Sequence, residues 1–263
     1  MSRICPLFSG SSGNSTYIAS ESGSLLIDVG VSFRAVTAAL DAVGGTPEEI
    51  SAVLITHEHT DHIKGLKTLL KHIKVPVLAS EATLNTLVSL DIIPPETKML
   101  SLNEDNEAEL CGFGITRFPT LHDCAGSSGY SVQTADGRKI SVCTDLGRVT
   151  DAVRSAISGS DVILIESNHD IDMLKKGPYP PALKMRILSD NGHISNNACA
   201  AELPNLLKNG TERFILGHLS RKNNSPLLAF NCAQASLVDC GAKDGVDYTL
   251  SVAAPTENGV TVV

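Results

Sequence analysis

A chain of 263 residues, 42% hydrophobic and 19% charged, has the balance of a globular protein with a substantial core. Its net charge of −8 excludes a surface coated in base for indiscriminate nucleic-acid binding, though not a local basic groove. No apolar run is long enough to span a bilayer, so no membrane association is expected. The start Met1-Ser2-Arg3-Ile4-Cys5-Pro6 meets Gly and Ser at once, which is not the pattern of a secretory signal. The 7 Cys are odd in number and scattered, with no Cys-x-x-Cys pair, and several lie in apolar stretches, such as Cys143 and Cys232. They read as reduced, packed thiols of a cytoplasmic protein.

In chain order, the Ser/Gly/Asn run over residues 9–15 has two readings. It can present backbone N–H groups to a phosphate, or it can be a plain β-turn. Residues 24–28 form an apolar strand ending in the carboxylate of Asp28. Residues 33–43 are helical in spacing, with Ser32 as N-cap and Gly44-Gly45 as the stop. Residues 52–56 read as a buried strand, and the next seven positions hold the densest chemistry in the chain.

Residues 56–62 read Thr-His-Glu-His-Thr-Asp-His, and three of the 8 His fall here. Imidazoles and carboxylates at this density are poor core material, because each needs a partner when buried. They are good ligands for a divalent metal such as zinc or manganese. The spacing is too tight for one helix face. It suits a loop that leaves a strand and enters a helix over residues 63–72.

Beyond the loop come a strand over 75–79, a helix over 81–90 capped by Ser80, and a β-rich stretch over 98–145 with turns such as Asp136-Gly137. Residues 148–157 read as helix and 162–166 as strand. Residues 175–191 are basic and broken by Pro. Residues 196–208 read as helix with Pro204 as a local disruption and Asn209-Gly210 as the stop, 213–217 as strand, and 225–240 as helix. No linker divides the chain. This alternation predicts an α/β fold, a four-layer αββα sandwich of two facing sheets with helices outside, as one domain over 1–263.

A metal site in the 56–62 loop requires further ligands from later strand ends. Three largely apolar stretches, 116–121, 139–144 and 213–217, end abruptly in His122, Asp145 and His218. Asp145 is of the type that bridges two cations, and a pair of metals about 3.5–4 Å apart would clamp a phosphoryl or acyl group. Cys124, two residues after His122, is near enough in sequence to approach the metals or to be a packed thiol. Outside this set, Glu166 ends a strand and His193 precedes a helix. Together they suit a carboxylate-held imidazole that protonates a leaving oxygen; separately they are a surface carboxylate and a helix-start residue. Lys175, Lys176, Lys184, Arg186, Arg221 and Lys222 flank His169, His193 and His218. They read as a phosphate groove or as ordinary solvated base. Tyr179 is a base-stacking platform or a loop residue.

The order His-x-His-x-Asp-His, then His122, Asp145 and His218, resembles the metallo-β-lactamase fold of binuclear metallohydrolases over essentially the whole chain. The resemblance implies His57, His59 and His122 on one metal, Asp61, His62 and His218 on the other, and Asp145 between them. Residues 166–170, 192–196 and 217–221 resemble motifs of the tRNase Z branch, whose long exosite arm is not apparent here. With residues 9–15 they are most similar to the YycJ/WalJ group. That resemblance implies a metal-dependent hydrolase of phosphodiester bonds, a nuclease and specifically a 5′-to-3′ exonuclease acting on DNA rather than RNA. Two divalent ions, zinc or manganese with iron as a further choice, would be the cofactors. Asp61, Glu166 and His193 are the candidate catalytic side chains. Ser11, Ser12, Asn14, His169, Lys184, Arg186 and Arg221 are the candidate phosphate contacts. The ligand set alone also suits a small-molecule hydrolase acting on a thioester, lactone or cyclic phosphodiester. The sequence leaves the oligomeric state open.

Overall fold

Successive side chains of a strand face opposite sides, and Leu25, Leu26 and Ile27 are all buried. The sheet that carries them must therefore be covered on both faces. The computed structural model describes residues 1–102 and 107–263; residues 103–106, inside the expected β-rich stretch, lie outside the described residues. One sheet is built from β1 (Arg3–Phe8), β2 (Ser15–Ser20), β3 (Gly23–Ile27), β4 (Ile50–Leu54), β5 (Val77–Ala79) and β6 (Met99–Ser101). The other holds β7 (Glu107–Leu110), β8 (Phe113–Pro119), β9 (Ser128–Gln133), β10 (Lys139–Cys143), β11 (Val162–Glu166), β12 (Arg213–Gly217) and β13 (Thr249–Val252). A last strand, β14 (Thr261–Val262), returns to pair with β1. The sheets are seven-stranded, in the orders β14-β1-β2-β3-β4-β5-β6 and β13-β12-β11-β10-β9-β8-β7.

The helices are α1 (Phe33–Ala42), α2 (Thr60–Ile63), α3 (Leu66–His72), α4 (Glu81–Ser89), α5 (Asp151–Ile157), α6 (Ile171–Lys176), α7 (Pro181–Ile187), α8 (Asn196–Lys208) and α9 (Pro226–Asp239). Alternation sorts the core into three seams. Leu25, Ile27 and Leu54 meet Phe113, Ile115, Tyr130 and Leu164 between the sheets. Leu26 and Val53 face outward under Leu40 of α1 and Leu69 of α3. Ile163, Ile165 and Leu216 lie under α5, α8 and α9 through Val153, Leu203 and Ala233. Each buried Leu or Ile stabilises the fold by roughly 1.5–3 kcal/mol. The chain is thus the αββα sandwich expected.

Strand direction gathers the chemistry. β10, β11 and β12 run parallel, and β8 shares their direction because two antiparallel steps through β9 separate it from β10. Their carboxyl ends, carrying His122, Asp145, Glu166 and His218, therefore open at one edge. The carboxyl ends of β3 and β4, parallel in the other sheet, lead to Asp28 and His57.

The expected helix over 63–72 forms as two pieces. α2 begins at Thr60, so Asp61 and His62 lie in a helical turn rather than an open loop, with His59 at its N-cap. The break comes at Gly65, whose N–H donates to Val29 O at 2.8 Å. A Cβ there would stand 1.9 Å from Val31 O, so the backbones pack directly. α8 runs through Pro204 without interruption. All seven Cys are free; Cys5, Cys143 and Cys199 are buried, Cys232 is half-buried, and Cys111 and Cys240 are exposed. Among the described residues no helix is long and apolar enough to cross a membrane.

Gly30 makes the closest approach in this region. Its N–H donates to Asn14 O at 2.8 Å, while Asn14 N–H donates to Asp61 O at 2.8 Å. A Cβ on Gly30 would lie 1.7 Å from Asp61 O. Gly30→Ala is expected to lower unfolding free energy by on the order of 3 kcal/mol. A shift of the urea midpoint at unchanged slope checks it.

Candidate metal centre

Donor atoms from both sheets converge here. One atom each from His57, His59 and His122 lie within 4.8 Å of one another, and the same holds for Asp61, His62 and His218. A third group, His57, His62 and Asp145, joins the two. Asp145 stands at the middle. Its carboxylate lies 3.3 Å from His62 Nε2, 3.5 Å from His218 Nδ1, and 3.7 Å from both His122 Nε2 and His193 Nδ1.

The imidazoles are held from behind. His62 Nδ1 lies 2.7 Å from Asp28 Oδ2, and Thr56 Oγ1 lies 3.0 Å from His57 Nδ1 and donates to Asp28 Oδ2 at 2.8 Å. His122 Nδ1 meets Gly192 O at 3.1 Å, and His218 Nδ1 meets Glu166 Oε1 at 2.8 Å. Such outer contacts fix the ring and leave Nε2 as the ligand atom. Asp28, Asp145 and His218 adopt φ of 63°, 57° and 55°. The left-handed conformation costs roughly 1–2 kcal/mol each, and it occurs at three strand exits that feed one site.

The donor set fits divalent metal ions. His57 Nε2, Asp145 Oδ2 and His218 Nε2 are buried with no hydrogen-bond partner among the described residues. Buried polar atoms are rarely left so, and imidazole with carboxylate is the donor chemistry of zinc and manganese. Cys124 stands apart from these groups. Burial pushes its thiol up to about 11, which disfavours the ligating thiolate.

Charge is balanced inside the cluster. Burial alone would raise the Asp145 carboxyl, yet His218 and His62 hold it well below the usual range. Burial opposes a charged His62, but Asp145 and Asp28 lift it to about 10. Burial and then His62 keep His57 well below its usual value. Glu166 is fully buried; burial works to raise it, and His193 and His218 bring it down to about 2. His193 responds in the opposite sense: burial disfavours its proton, and Glu166, 2.9 Å from its Nδ1, restores it and raises the ring above the ordinary value.

A cavity of about 270 Å³ opens over the cluster, lined by His59, Asp61, Asp145, His193 and His218 together with Ser11, Tyr179 and Arg186. Arg186 is forked onto Asp123, with Nη2 to Oδ1 at 2.9 Å. The other candidate phosphate contacts lie elsewhere. Ser12 and Arg221 are exposed and outside the lining. Lys184 Nζ donates to Lys175 O at 2.7 Å. Asn14 is buried, takes Gly10 N–H on Oδ1 at 2.8 Å and sets Nδ2 3.0 Å from His62 Nε2, so it braces the glycine-rich loop against the site. His169 is 1% exposed and does not line the cavity, and burial holds its ring down to about 4.

Of the groups behind the rings, the sequence singled out Glu166 but gave no role to Asp28 or Gly192. Asp28 carried a usable signal, a carboxylate ending an apolar strand. Gly192 carried none, because it acts through its carbonyl oxygen.

Residues 24–219 match the model of the Beta-lactamase superfamily domain. The chain is 36% identical to the exodeoxyribonuclease YycJ of Bacillus anthracis over 228 residues, covering 85% of this chain and 84% of that protein. It is 33% identical to the exodeoxyribonuclease WalJ of Streptococcus pneumoniae strain D39 over 258 residues, 95% of this chain and 93% of that one. The crystal structure of the metallo-β-lactamase fold protein YhfI from Bacillus subtilis superposes with a TM-score of 0.72 at 16% identity, covering 99% of each chain.

Glu166 gives a pH signature in metal-free protein. Its folded value is depressed, so its contribution to stability is present above about 4.5 and is lost as pH falls through about 2. Chelator-treated wild type is expected to exceed Glu166→Gln in urea midpoint at pH 6. That margin should shrink steadily below about pH 4.5 in a pH series of denaturation curves.

Proposed function

The chain belongs to the β-lactamase superfamily, and from that premise we propose that it is a metal-dependent phosphodiesterase that degrades DNA as an exonuclease. The observation that carries this reading is the Glu166–His193 pair at 2.9 Å, with His193 in the wall of the cavity beside the ligand cluster and Glu166 buried behind it. A small-molecule acyl hydrolase with the same ligands has less need of such a proton donor. Similarity to two curated exodeoxyribonucleases over 85% and 95% of the chain adds the substrate class. A 5′-to-3′ direction and a cytoplasmic setting complete the proposal.

His57, His59 and His122 would hold one divalent ion, Asp61, His62 and His218 a second, and Asp145 would lie between them. A pair of zinc or manganese ions would acidify water and offset charge on the phosphoryl oxygens. The remaining work belongs to side chains. His193 Nδ1 is engaged by Glu166 Oε1, so its Nε2 is the atom left to carry a proton toward the leaving oxygen. Its side chain is 16% exposed, enough to reach substrate while bulk water is limited. Glu166 keeps the ring charged and fixes its plane. Asp61, at 28% side-chain exposure, reaches solvent from within the cluster and would orient the attacking water. Tyr179 and Arg186 in the cavity lining would meet a base and a phosphate.

An end-labelled panel of DNA and RNA strands, with added manganese or zinc, tests the reading. Mononucleotides released from the 5′ end of DNA are expected. Cleavage of a thioester or lactone, with every strand left intact, would overturn it. His193→Ala is expected to lower kcat by about 10²–10⁴ with metal content near that of wild type by elemental analysis. Asp145→Ala is expected to lose bound metal as well as turnover.

A further inference from the structure

Beside the metal centre lies a second cavity, of about 630 Å³, that the proposed reaction does not use. The two share a wall, because His122 lines both. Deeper in the second cavity is Arg117. It follows Phe113 and Ile115 on one face of β8, the face turned to the core between the sheets. Where that alternation calls for an apolar side chain, the sequence places a guanidinium, 7% exposed.

Arg117 is poorly matched by the protein around it. Nη1 donates to Ser128 Oγ at 2.9 Å, whereas Nε has no partner. Among the described residues no carboxylate oxygen comes within 4.0 Å of it. A buried cation without a counter-charge is unfavourable, and a guanidinium has five N–H groups to place. The rest of the lining has the same sign of demand. Ser80, the N-cap of α4, lines the cavity, so the positive end of that helix faces it. Asn85 and Ser127 add polar groups, and the acid in the lining, Glu81, is exposed. A fixed planar cation among hydroxyl and amide groups suits a phosphate oxyanion. Arg117 and His122 are five residues apart, which places their Cα atoms within about 17 Å along β8 and its exit.

We infer that Arg117 binds a backbone phosphate of the substrate strand, at a subsite reached along the cleft that starts at His122. The assignment rests on the nuclease reading above. It gives the enzyme a grip on the strand away from the scissile bond, through a contact blind to base identity.

Fluorescence anisotropy with a phosphorothioate DNA strand of about ten nucleotides tests it on metal-loaded protein. Arg117→Gln is expected to weaken binding about tenfold for every base sequence. The slope of log K against log salt should fall by about 0.7, the loss of one phosphate contact on a single strand. Arg117→Lys should recover part of the affinity. Asn85→Trp, on the exposed side of α4, fills the cleft without touching the core and should weaken binding similarly. It decides the matter if Arg117→Gln fails to fold. Affinity within twofold of wild type in the folded variants, or weaker binding at an unchanged salt slope, overturns the assignment. A wild type that binds no strand overturns both readings. One that binds strands but leaves ordinary phosphodiesters intact overturns the nuclease reading alone.

Discussion

The site depends on one carboxylate, Asp145, taken out of water at the end of β10 and surrounded by imidazoles. It is 2% exposed, with four rings within 3.7 Å. A lone carboxylate in such a place would be strongly unfavourable, so the fold must bring nitrogen donors to it from several directions. Parallel β10, β11 and β12, with β8 in the same direction, supply them from one sheet, and the turn after β4 supplies them from the other. The left-handed backbone at Asp28, Asp145 and His218 is the local cost of redirecting the chain as each strand ends.

Glu166 ties the proposed proton donor to a proposed ligand. Oε1 meets both His193 Nδ1 and His218 Nδ1, at 2.9 and 2.8 Å. Oε2 accepts from the Leu146 and Ile194 backbone N–H groups at 3.3 and 3.2 Å. Both oxygens are therefore committed, and the side chain has no freedom to follow substrate. The tilt of His193 and that of His218 are set by a single atom, so disturbance at one ring is transmitted to the other.

Much of this was legible in the sequence, and for physical reasons. The layering follows from alternation in runs such as Leu25-Leu26-Ile27. Strand ends betrayed themselves where apolar runs stop at His122, Asp145 or His218. Contacts made by backbone atoms were not legible, because the Gly192 carbonyl has no residue-type signature. The helical turn at Thr60 was also hidden, since it is imposed by packing against residues 29–31 rather than by local propensity. Basic residues near in sequence differ in what they reach: Arg186 lines the cavity, whereas Lys184 and Arg221 do not. Arg117 passed unnoticed because a single Arg in a β-rich stretch reads as surface, and only the fold buries it.

Each proposed ligand trio draws two members from the 57–62 turn and one from the opposite sheet, His122 in one case and His218 in the other. Cations seated there would rivet the amino-terminal half of the molecule to the carboxy-terminal half at two neighbouring points. Loading would then be a mechanical event as well as a chemical one: it would close the open rim of the sandwich, whose halves otherwise adhere through the hydrocarbon between them and through single hydrogen bonds such as Tyr130 Oη to Ile55 O and His218 N–H to Ser9 Oγ.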